Sequence, residues 1–231
     1  GLDGWKRNLE PGEIVAQIPA AENASGEKVN NLVFMGMGEP LANYENLMHA
    51  LDVLNAPEGI GIGARHITVS TSGLAPRIRD LANQPRQIRL AISLHGATDE
   101  IRSVIMPVNK KYPVAELLDA CRFYCAKKKQ FLTFEYILID RINDSPAAAR
   151  ELVKAARGLR AKVNLIPYNR VGGLPWNRPP QETQETFLQI LRKGGVPATL
   201  RREKGHDIAA ACGQLRLNTL RQGAPETASQ S

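Results

Sequence analysis

The most distinctive short string in the chain is Gly-Met-Gly-Glu-Pro at residues 36–40, directly after an apolar run. Glycines let a ligand approach the backbone closely and leave N–H groups able to bind it. Glu39, held before a rigid proline, could accept hydrogen bonds from an ammonium group. The string is not a dinucleotide-binding fingerprint, because the third glycine is absent and Pro40 stands where that motif would begin its helix. The alternative interpretation is a purely structural turn.

Polar turns also follow four further apolar runs, at 71–73, 93–95, 140–144 and 167–169. The hydroxyls and amides around Ser70 suit a carboxylate or a ribose, and His95 and Asn169 close two of the other turns. Each turn alone could simply fill a loop, and a lone histidine is more often structural than catalytic. Because the carboxyl ends of parallel strands meet at one rim, the turns together predict a site for a polar small molecule.

The three cysteines have two different interpretations. Cys212 is followed by glycine in a run of small residues, and nearby basic residues would favour its thiolate, the nucleophilic form. Cys121 and Cys125 stand four residues apart on a predicted helix among apolar neighbours, which favours buried core thiols over metal ligands.

These residues must be positioned by an alternation of apolar runs and amphipathic segments. Strands are predicted at 31–37, 66–70, 88–94, 131–139, 163–166 and 198–202, and helices at 44–54, 76–82, 114–127, 146–158 and 182–194. Residues 1–5 are predicted to form a tight turn that leads directly into residues 9–13. Strands that alternate with helices imply parallel pairing through right-handed crossovers. Six such units fit either an open doubly wound sheet or an incomplete (β/α) barrel, and the pattern does not choose between them.

Composition restricts the class of protein. The 231 residues, 43% of them hydrophobic, can bury one sizeable core. No run approaches the roughly 18–20 apolar residues of a membrane span, so no membrane partner is predicted. Three cysteines argue against a secreted disulfide framework and predict a reducing, cytoplasmic environment.

The net charge of +7 favours a polyanionic partner, although short basic runs are by default solvated faces. Residues 217–231 are predicted to be a disordered tail.

Taken together, the strings at 36–41, 67–73, 90–95, 105–113, 134–136, 164–169 and 207–215 stand in a distinctive order. They resemble the radical S-adenosylmethionine (SAM) adenine-C2 methyltransferases of 23S rRNA and tRNA, the RlmN family, over about residues 5–216. The Cfr-type relatives, which methylate carbon 8 of an rRNA adenosine, share much of the pattern. The resemblance implies an α/β fold in which residues 1–216 form an incomplete (β/α)6 radical SAM barrel that lacks its first strand.

The resemblance implies a chemistry with SAM and a [4Fe-4S] cluster as cofactors and an external electron donor. One SAM methylates a cysteine, and a second SAM is cleaved at the cluster to a radical that takes a hydrogen atom from the S-methyl group. The resulting carbon radical adds to adenine, and a disulfide with another cysteine releases the product. Such a route suits carbon 2 of adenine, which is electrophilic and a poor partner for a methyl cation.

By position in the motifs, the resemblance makes Cys212 the methyl-carrying cysteine. It assigns Gly38 and Glu39 to the amino group of the methionine part of SAM, and the rest of the pocket to Ser70, Ser93, Leu94, His95 and Asn169. The family's cluster motif, three cysteines spaced CxxxCxxC, is expected upstream of Gly1, so we expect a piece of an enzyme that is inactive alone. Two other hypotheses are a non-catalytic RNA-binding module and an ordinary barrel enzyme with a small phosphate substrate.

Overall fold

A computed structural model describes residues 7–35, 38–169 and 174–201. Within these ranges the strands are β1 (Leu32–Phe34), β2 (Ile67–Thr71), β3 (Arg89–Ser93), β4 (Thr133–Leu138), β5 (Lys162–Pro167) and β6 (Ala198–Leu200). The helices are α1 (Pro11–Ser25), α2 (Tyr44–Asn55), α3 (Ala75–Asn83), α4 (Asp99–Ile105), α5 (Val114–Lys128), α6 (Pro146–Leu159) and α7 (Gln181–Lys193). All six predicted strands and all five predicted helices are therefore present, with ends that differ by a few residues.

The six strands form one parallel sheet in the order β1-β2-β3-β4-β5-β6. Each strand lies beside the next one in the chain, so the order never reverses. Right-handed crossovers that always advance in one direction place their helices on the same face of the sheet. A doubly wound sheet requires a reversal of strand order. The topology thus selects the incomplete barrel from the two folds that the sequence allows.

The two faces of this sheet differ in chemistry. One face, called here the outer face, carries buried apolar side chains such as Val69, Ile92, Phe134 and Leu165, which belong to a single core shared with the helices. Side chains alternate between faces along each strand, so the intervening residues form the opposite, inner face. The inner face is rich in polar groups: Thr68, Ser70, Ser93, Thr133, Glu135 and Asn164.

Local signals set the helix boundaries where sequence reasoning expected them. The Ser145 side chain accepts a hydrogen bond from the Ala148 N–H at 3.1 Å, and Pro146 occupies the first turn of α6. A serine cap satisfies one of the N–H groups that have no partner inside the helix. At the other end of the next helix, Gly195 has a left-handed φ of 74° and its N–H donates to the backbone oxygen of Arg192 at 2.9 Å, so α7 ends at Lys193.

The helix α1, which begins at Pro11, was not predicted from the sequence, and the turn predicted at 1–5 lies outside the described residues. The start of α1 is a capping box in which the Glu13 carboxylate accepts a hydrogen bond from the Glu10 N–H at 2.8 Å. Pro11 and Gly12 look like turn residues, but proline is also favoured in the first turn of a helix. In the described part of the chain, no helix is long and apolar enough to cross a membrane.

Candidate functional site

Glu39 connects the loop after β1 to the carboxyl end of β2. Its Oε2 accepts a hydrogen bond from the Ser72 N–H at 2.6 Å, and its Oε1 accepts one from the Leu41 N–H at 2.9 Å. Two backbone donors therefore hold the carboxylate in one orientation. An ionised carboxylate offers about four acceptor positions, so two remain for a ligand cation. The preceding Gly38 has a φ of 103°, a backbone conformation that is strained for any residue with a Cβ atom.

His95 lies at the carboxyl end of β3, nearly buried, with a left-handed φ of 57°. The Ile137 N–H donates to its Nδ1 at 3.1 Å. Burial, together with the positive charge of Arg102, lowers the pKa of the imidazole from 6.5 to about 4. The ring is consequently neutral near pH 7, and an accepting Nδ1 places its proton on Nε2. His95 is thus a hydrogen-bond donor of fixed tautomer.

Arg102, from α4, is a fully buried guanidinium that ties two of the strand-end turns together. It donates to the backbone oxygen of Ser72 after β2 and, at 3.2 Å, to that of Leu94 after β3. A third bond, at 3.0 Å, goes to Oδ1 of Asn109, whose amide nitrogen in turn donates to Asp99 Oδ1 at 2.9 Å. Burial lowers the pKa of Arg102 to about 10, so it stays charged near neutral pH. We call Ser72, Leu94, Arg102 and Asn109 the arginine clamp.

Asn143 connects the turn after β3 to the end of β4 through hydrogen bonds. Its Nδ2 donates to the backbone oxygens of His95 at 2.8 Å and Ile137 at 2.6 Å, and its Oδ1 accepts from the Ile139 N–H at 2.7 Å. The side chain is completely buried. His95 is therefore held from both sides, by Ile137 at the ring and by Asn143 at the backbone.

The predicted residues of the pocket take different places. Ser70 is buried on the inner face, and Ser93, on the same face, is half-buried. The Leu94 side chain belongs to the core, so this residue can offer a ligand only its backbone. Asn169 is half-buried just beyond the end of β5. Cys212 and the predicted tail at 217–231 lie outside the described residues.

Sequence reasoning missed three polar residues of this region: Arg102, Glu135 and Asn143. Glu135, on the inner face of β4, is the register partner of Ser93 and is nine-tenths buried. Its Oε2 accepts a hydrogen bond from Asn164 Nδ2 at 2.7 Å. Both side chains line a cavity of about 760 Å³ that reaches toward the amino end of β6. The string Phe-Glu-Tyr at 134–136, with an acidic residue between two aromatics in a strand, was the available signal.

The prediction that Cys121 and Cys125 are core thiols is confirmed. Cys121 is fully buried and Cys125 partly so, both on α5. Burial raises the pKa of both thiols, that of Cys125 to about 11, so they stay protonated. A [4Fe-4S] cluster needs thiolate ligands. Among the described residues, no group of three or more His, Cys, Asp or Glu side chains could hold a metal ion.

Comparison with known proteins agrees with this geometry. The family model of the radical SAM superfamily matches residues 2–153. A relative from Akkermansia muciniphila, named as a probable dual-specificity RNA methyltransferase RlmN, is 58% identical over 94% of this chain and 60% of its own length. A second, from Opitutus terrae, named as a probable dual-specificity RNA methyltransferase RlmN 3, is 56% identical over 95% of this chain and 61% of its own length.

A solved structure shows the same fold. The crystal structure of a radical SAM methyltransferase from Sphaerobacter thermophilus superposes with a TM-score of 0.88 at 50% identity, over 93% of this chain and 64% of the other. The chain belongs to the radical SAM superfamily. The resemblance to the RlmN family that the motifs indicate is confirmed, and the chain spans about three fifths of the length of the two RlmN relatives described.

Membership of the superfamily implies SAM and a [4Fe-4S] cluster as cofactors. The described residues fit SAM: Glu39 offers a fixed carboxylate for its ammonium group, and His95 and Ser70 offer polar groups along the same rim and inner face. They do not fit the cluster, because their two cysteines are protonated thiols and no group of three or more possible metal ligands occurs among the described residues.

Proposed function

We propose that this protein is a radical SAM methyltransferase that acts on carbon 2 of adenosine in 23S rRNA and tRNA. The observation that carries the proposal is the Glu39 carboxylate, bound by the amides of Leu41 and Ser72 at the rim. It gives the RlmN-like string at 36–40 a chemical role, and it stands in a chain 58% identical to a protein named as a probable RNA methyltransferase.

The chain's own residues would divide the work as follows. Glu39 binds the ammonium group of SAM, while Gly38 allows the cofactor to approach the backbone beside it. Ser70, Ser93, the backbone of Leu94, His95 and Asn169 bind the remaining polar groups of SAM along the rim. His95 contributes as a neutral donor through Nε2, since its Nδ1 is already occupied by the Ile137 N–H. When bound, SAM supplies the methyl group and the radical chemistry of the superfamily.

Cys212 is the residue proposed to carry the methyl-derived carbon to adenine. A thiolate is the form of cysteine that attacks a methyl donor, and basic residues in the preceding segment favour it. The RNA partner is supported by the net charge of +7, since polyanions are attracted to such a surface. An external electron donor completes the proposed set of partners.

Nucleoside analysis of RNA tests this function. Full-length protein would be expressed in cells that lack their own adenosine methyltransferases, and their 23S rRNA and tRNA digested to nucleosides for mass spectrometry. We expect 2-methyladenosine with the wild type and none with Cys212→Ala. 8-Methyladenosine would replace the carbon-2 assignment by the Cfr-type reaction. Undiminished methylation with Cys212→Ala would contradict the role of this cysteine.

A further inference from the structure

The four chain segments that lead into β3, β4, β5 and β6 lie together at the amino ends of these strands. We call them the basal surface, residues 84–89, 127–132, 157–162 and 192–197. The buried Lys128 donates to the backbone oxygens of Gln84 and, at 2.7 Å, of Arg86, which joins the first segment to the second. The Lys162 N–H donates to the Leu132 oxygen at 3.0 Å and joins the second to the third, and the fourth precedes β6, which pairs with β5. The basal surface is thus one face, at the opposite end of the strands from the candidate SAM site.

The basal surface is strongly basic. Its four segments contain ten of the 30 Lys and Arg residues of the chain and none of the 23 Asp and Glu residues. The rest of the chain has more acidic than basic residues, so the net charge of +7 originates at this surface. Eight of the ten cations are exposed: Arg89, Lys127, Lys129, Arg157, Arg160, Lys162, Arg192 and Lys193. Among the described residues, none of these eight forms an ion pair.

Helix ends explain only part of this charge. Cations in the last turn of a helix interact favourably with its dipole, and α5, α6 and α7 all end at the basal surface. Arg89 and Lys162, however, are the first residues of strands. Lys129 and Arg160 follow α5 and α6 with a left-handed φ of 51° each, a conformation that favours glycine. The chain therefore carries long cations where an uncharged residue would fold at least as well.

An exposed aromatic ring stands among these cations. Phe131 is 61% exposed, more than any other large apolar side chain in the described part of the chain. It precedes β4, which lies between β3 and β5, so the segments on either side of it contribute Arg89 and Arg160. Surfaces that bind unpaired nucleic acid combine these two parts, cations for the phosphates and aromatic rings on which bases stack. The basal surface therefore has the chemistry of a nucleic-acid interface.

We propose that the basal surface binds RNA, with its exposed cations at the phosphates and Phe131 stacked on an unpaired base. The inference rests on the proposed function, which makes RNA the substrate. A six-residue strand such as β4 separates this surface from the rim by about 20 Å. The basal surface consequently contacts a part of a large folded RNA that is remote from the modified adenosine, and it contributes affinity rather than chemistry.

The test of the cations uses a charge variant of the full-length protein that combines Arg89→Gln, Lys129→Gly and Arg160→Gly. Glycine suits the left-handed φ at two of these positions, so the fold should persist, as thermal unfolding would verify. A control variant removes the same number of exposed cations from the outer surfaces of α3, α5 and α6: Arg77→Gln, Arg122→Gln and Lys154→Gln.

Binding of tRNA and of a fragment of 23S rRNA is measured over a series of salt concentrations. Each phosphate contact that is lost lowers the slope of log Kd against log salt by about one. We expect the charge variant to bind both RNAs about tenfold or more weakly, with a smaller slope. The control variant should differ from the wild type by less than about threefold, because exposed charges away from the RNA are screened by salt.

The test of stacking is Phe131→Ala. Because a stacked base contributes no counterion release, we expect binding about fivefold weaker or more with an unchanged salt slope. The exposed Val53→Ala on α2 is the control and should leave the affinity unchanged.

Equal weakening in the charge variant and its control would indicate a general effect of net charge and would overturn the proposal. Unchanged affinity in both the charge variant and Phe131→Ala would do the same. Tighter binding of the wild type to phosphatidylglycerol vesicles than to either RNA, lost in the charge variant, would assign the basal surface to lipid and also overturn it. Nucleoside analysis of RNA methylated by the wild type separately tests the proposed function, so the two failures are distinguishable.

Discussion

At the scale of single residues, the site depends on side chains that the backbone has already oriented. Glu39 has two amide donors, and His95 has one amide donor at Nδ1 and an asparagine on its carbonyl. Such preorganisation lowers the entropy lost when a ligand binds. The same contacts give the two residues opposite roles: Glu39, after β1, is an acceptor of hydrogen bonds, and the neutral His95, after β3, is a donor.

Replacing Glu39 by glutamine should weaken SAM binding. The change removes the negative charge and turns an NH2 group toward one of the two amide donors. We expect the Kd for SAM to rise about tenfold or more, as for loss of a hydrogen bond to a charged group. Equilibrium dialysis with the full-length protein measures it, with the exposed Glu45→Gln as control. Equal affinity of Glu39→Gln and wild type would contradict the assigned role.

The His95 imidazole should make stability depend on pH. Its pKa is lowered in the folded protein from 6.5 to about 4, so the unfolded chain binds more protons between these values. Stability should therefore fall as the pH drops from 6.5 toward 4, by about 3 kcal/mol from this group. The loss of unfolding free energy caused by His95→Asn, measured by urea unfolding at each pH, should become smaller by that amount as the pH drops over the same range. A cost that does not vary with pH would refute the buried neutral histidine. Asparagine suits the left-handed φ.

Sequence reasoning identified Glu39 and His95 because both stand in short strings beside glycine or at the end of an apolar run. Arg102, Glu135 and Asn143 escaped it for a physical reason. Their contacts join strands or turns separated by up to 48 residues in the chain, as between Asn143 and His95. Such contacts follow from sheet register, which no local pattern in the chain specifies.

At the scale of elements, the arginine clamp couples the turns after β2 and β3. Two backbone oxygens and the Asn109 amide depend on one buried cation. Glycines make room for it: a Cβ on Gly96 would lie 2.7 Å from the backbone nitrogen of Arg102, and one on Gly73 would lie 3.0 Å from its guanidinium. The clamp therefore restricts how far two parts of the candidate SAM site can move apart.

Replacing Arg102 by methionine should be strongly destabilising, because it leaves three buried acceptors without this donor. We expect a loss of at least about 3 kcal/mol in the free energy of unfolding. Arg122→Met on the exposed face of α5, whose Asp119 contact is 3.8 Å, should change it by less than about 0.5 kcal/mol. Urea unfolding of both variants provides the comparison. Similar losses of unfolding free energy in the two variants would show that the arginine clamp stabilises the fold no more than an exposed arginine does.

The elements themselves were largely predictable. Apolar runs of strand length and amphipathic segments of helix length specify β1–β6 and five helices, since burial of one face governs both periods. The helix α1 escaped prediction because Pro11 and Gly12 resemble turn residues, and the short α4 because seven residues carry little periodicity. Turn-like residues at a helix start become informative only once the following capping glutamate is considered.

At the scale of the whole molecule, the unreversed strand order places the helices on one face and a polar surface on the other. This arrangement brings the carboxyl ends of the strands to one rim, where the proposed SAM site draws its residues from β1, β2, β3 and β5. The strand β1 forms one edge of the sheet, and its Val33, on the inner face, is 49% exposed. The choice between barrel and doubly wound sheet could not be made from the sequence, because both folds use the same alternation of elements.

Peptide mass spectrometry on Cys212 tests the account most directly. Full-length protein would be purified from cells that supply SAM, digested, and the peptide carrying Cys212 examined for added mass. We expect an S-methyl or methylene-derived adduct on this thiol and none on the Cys121 and Cys125 peptides, whose thiols are protonated. A bare Cys212 thiol in protein loaded with its cofactors would contradict the covalent transfer of the methyl group and favour a non-catalytic RNA-binding module.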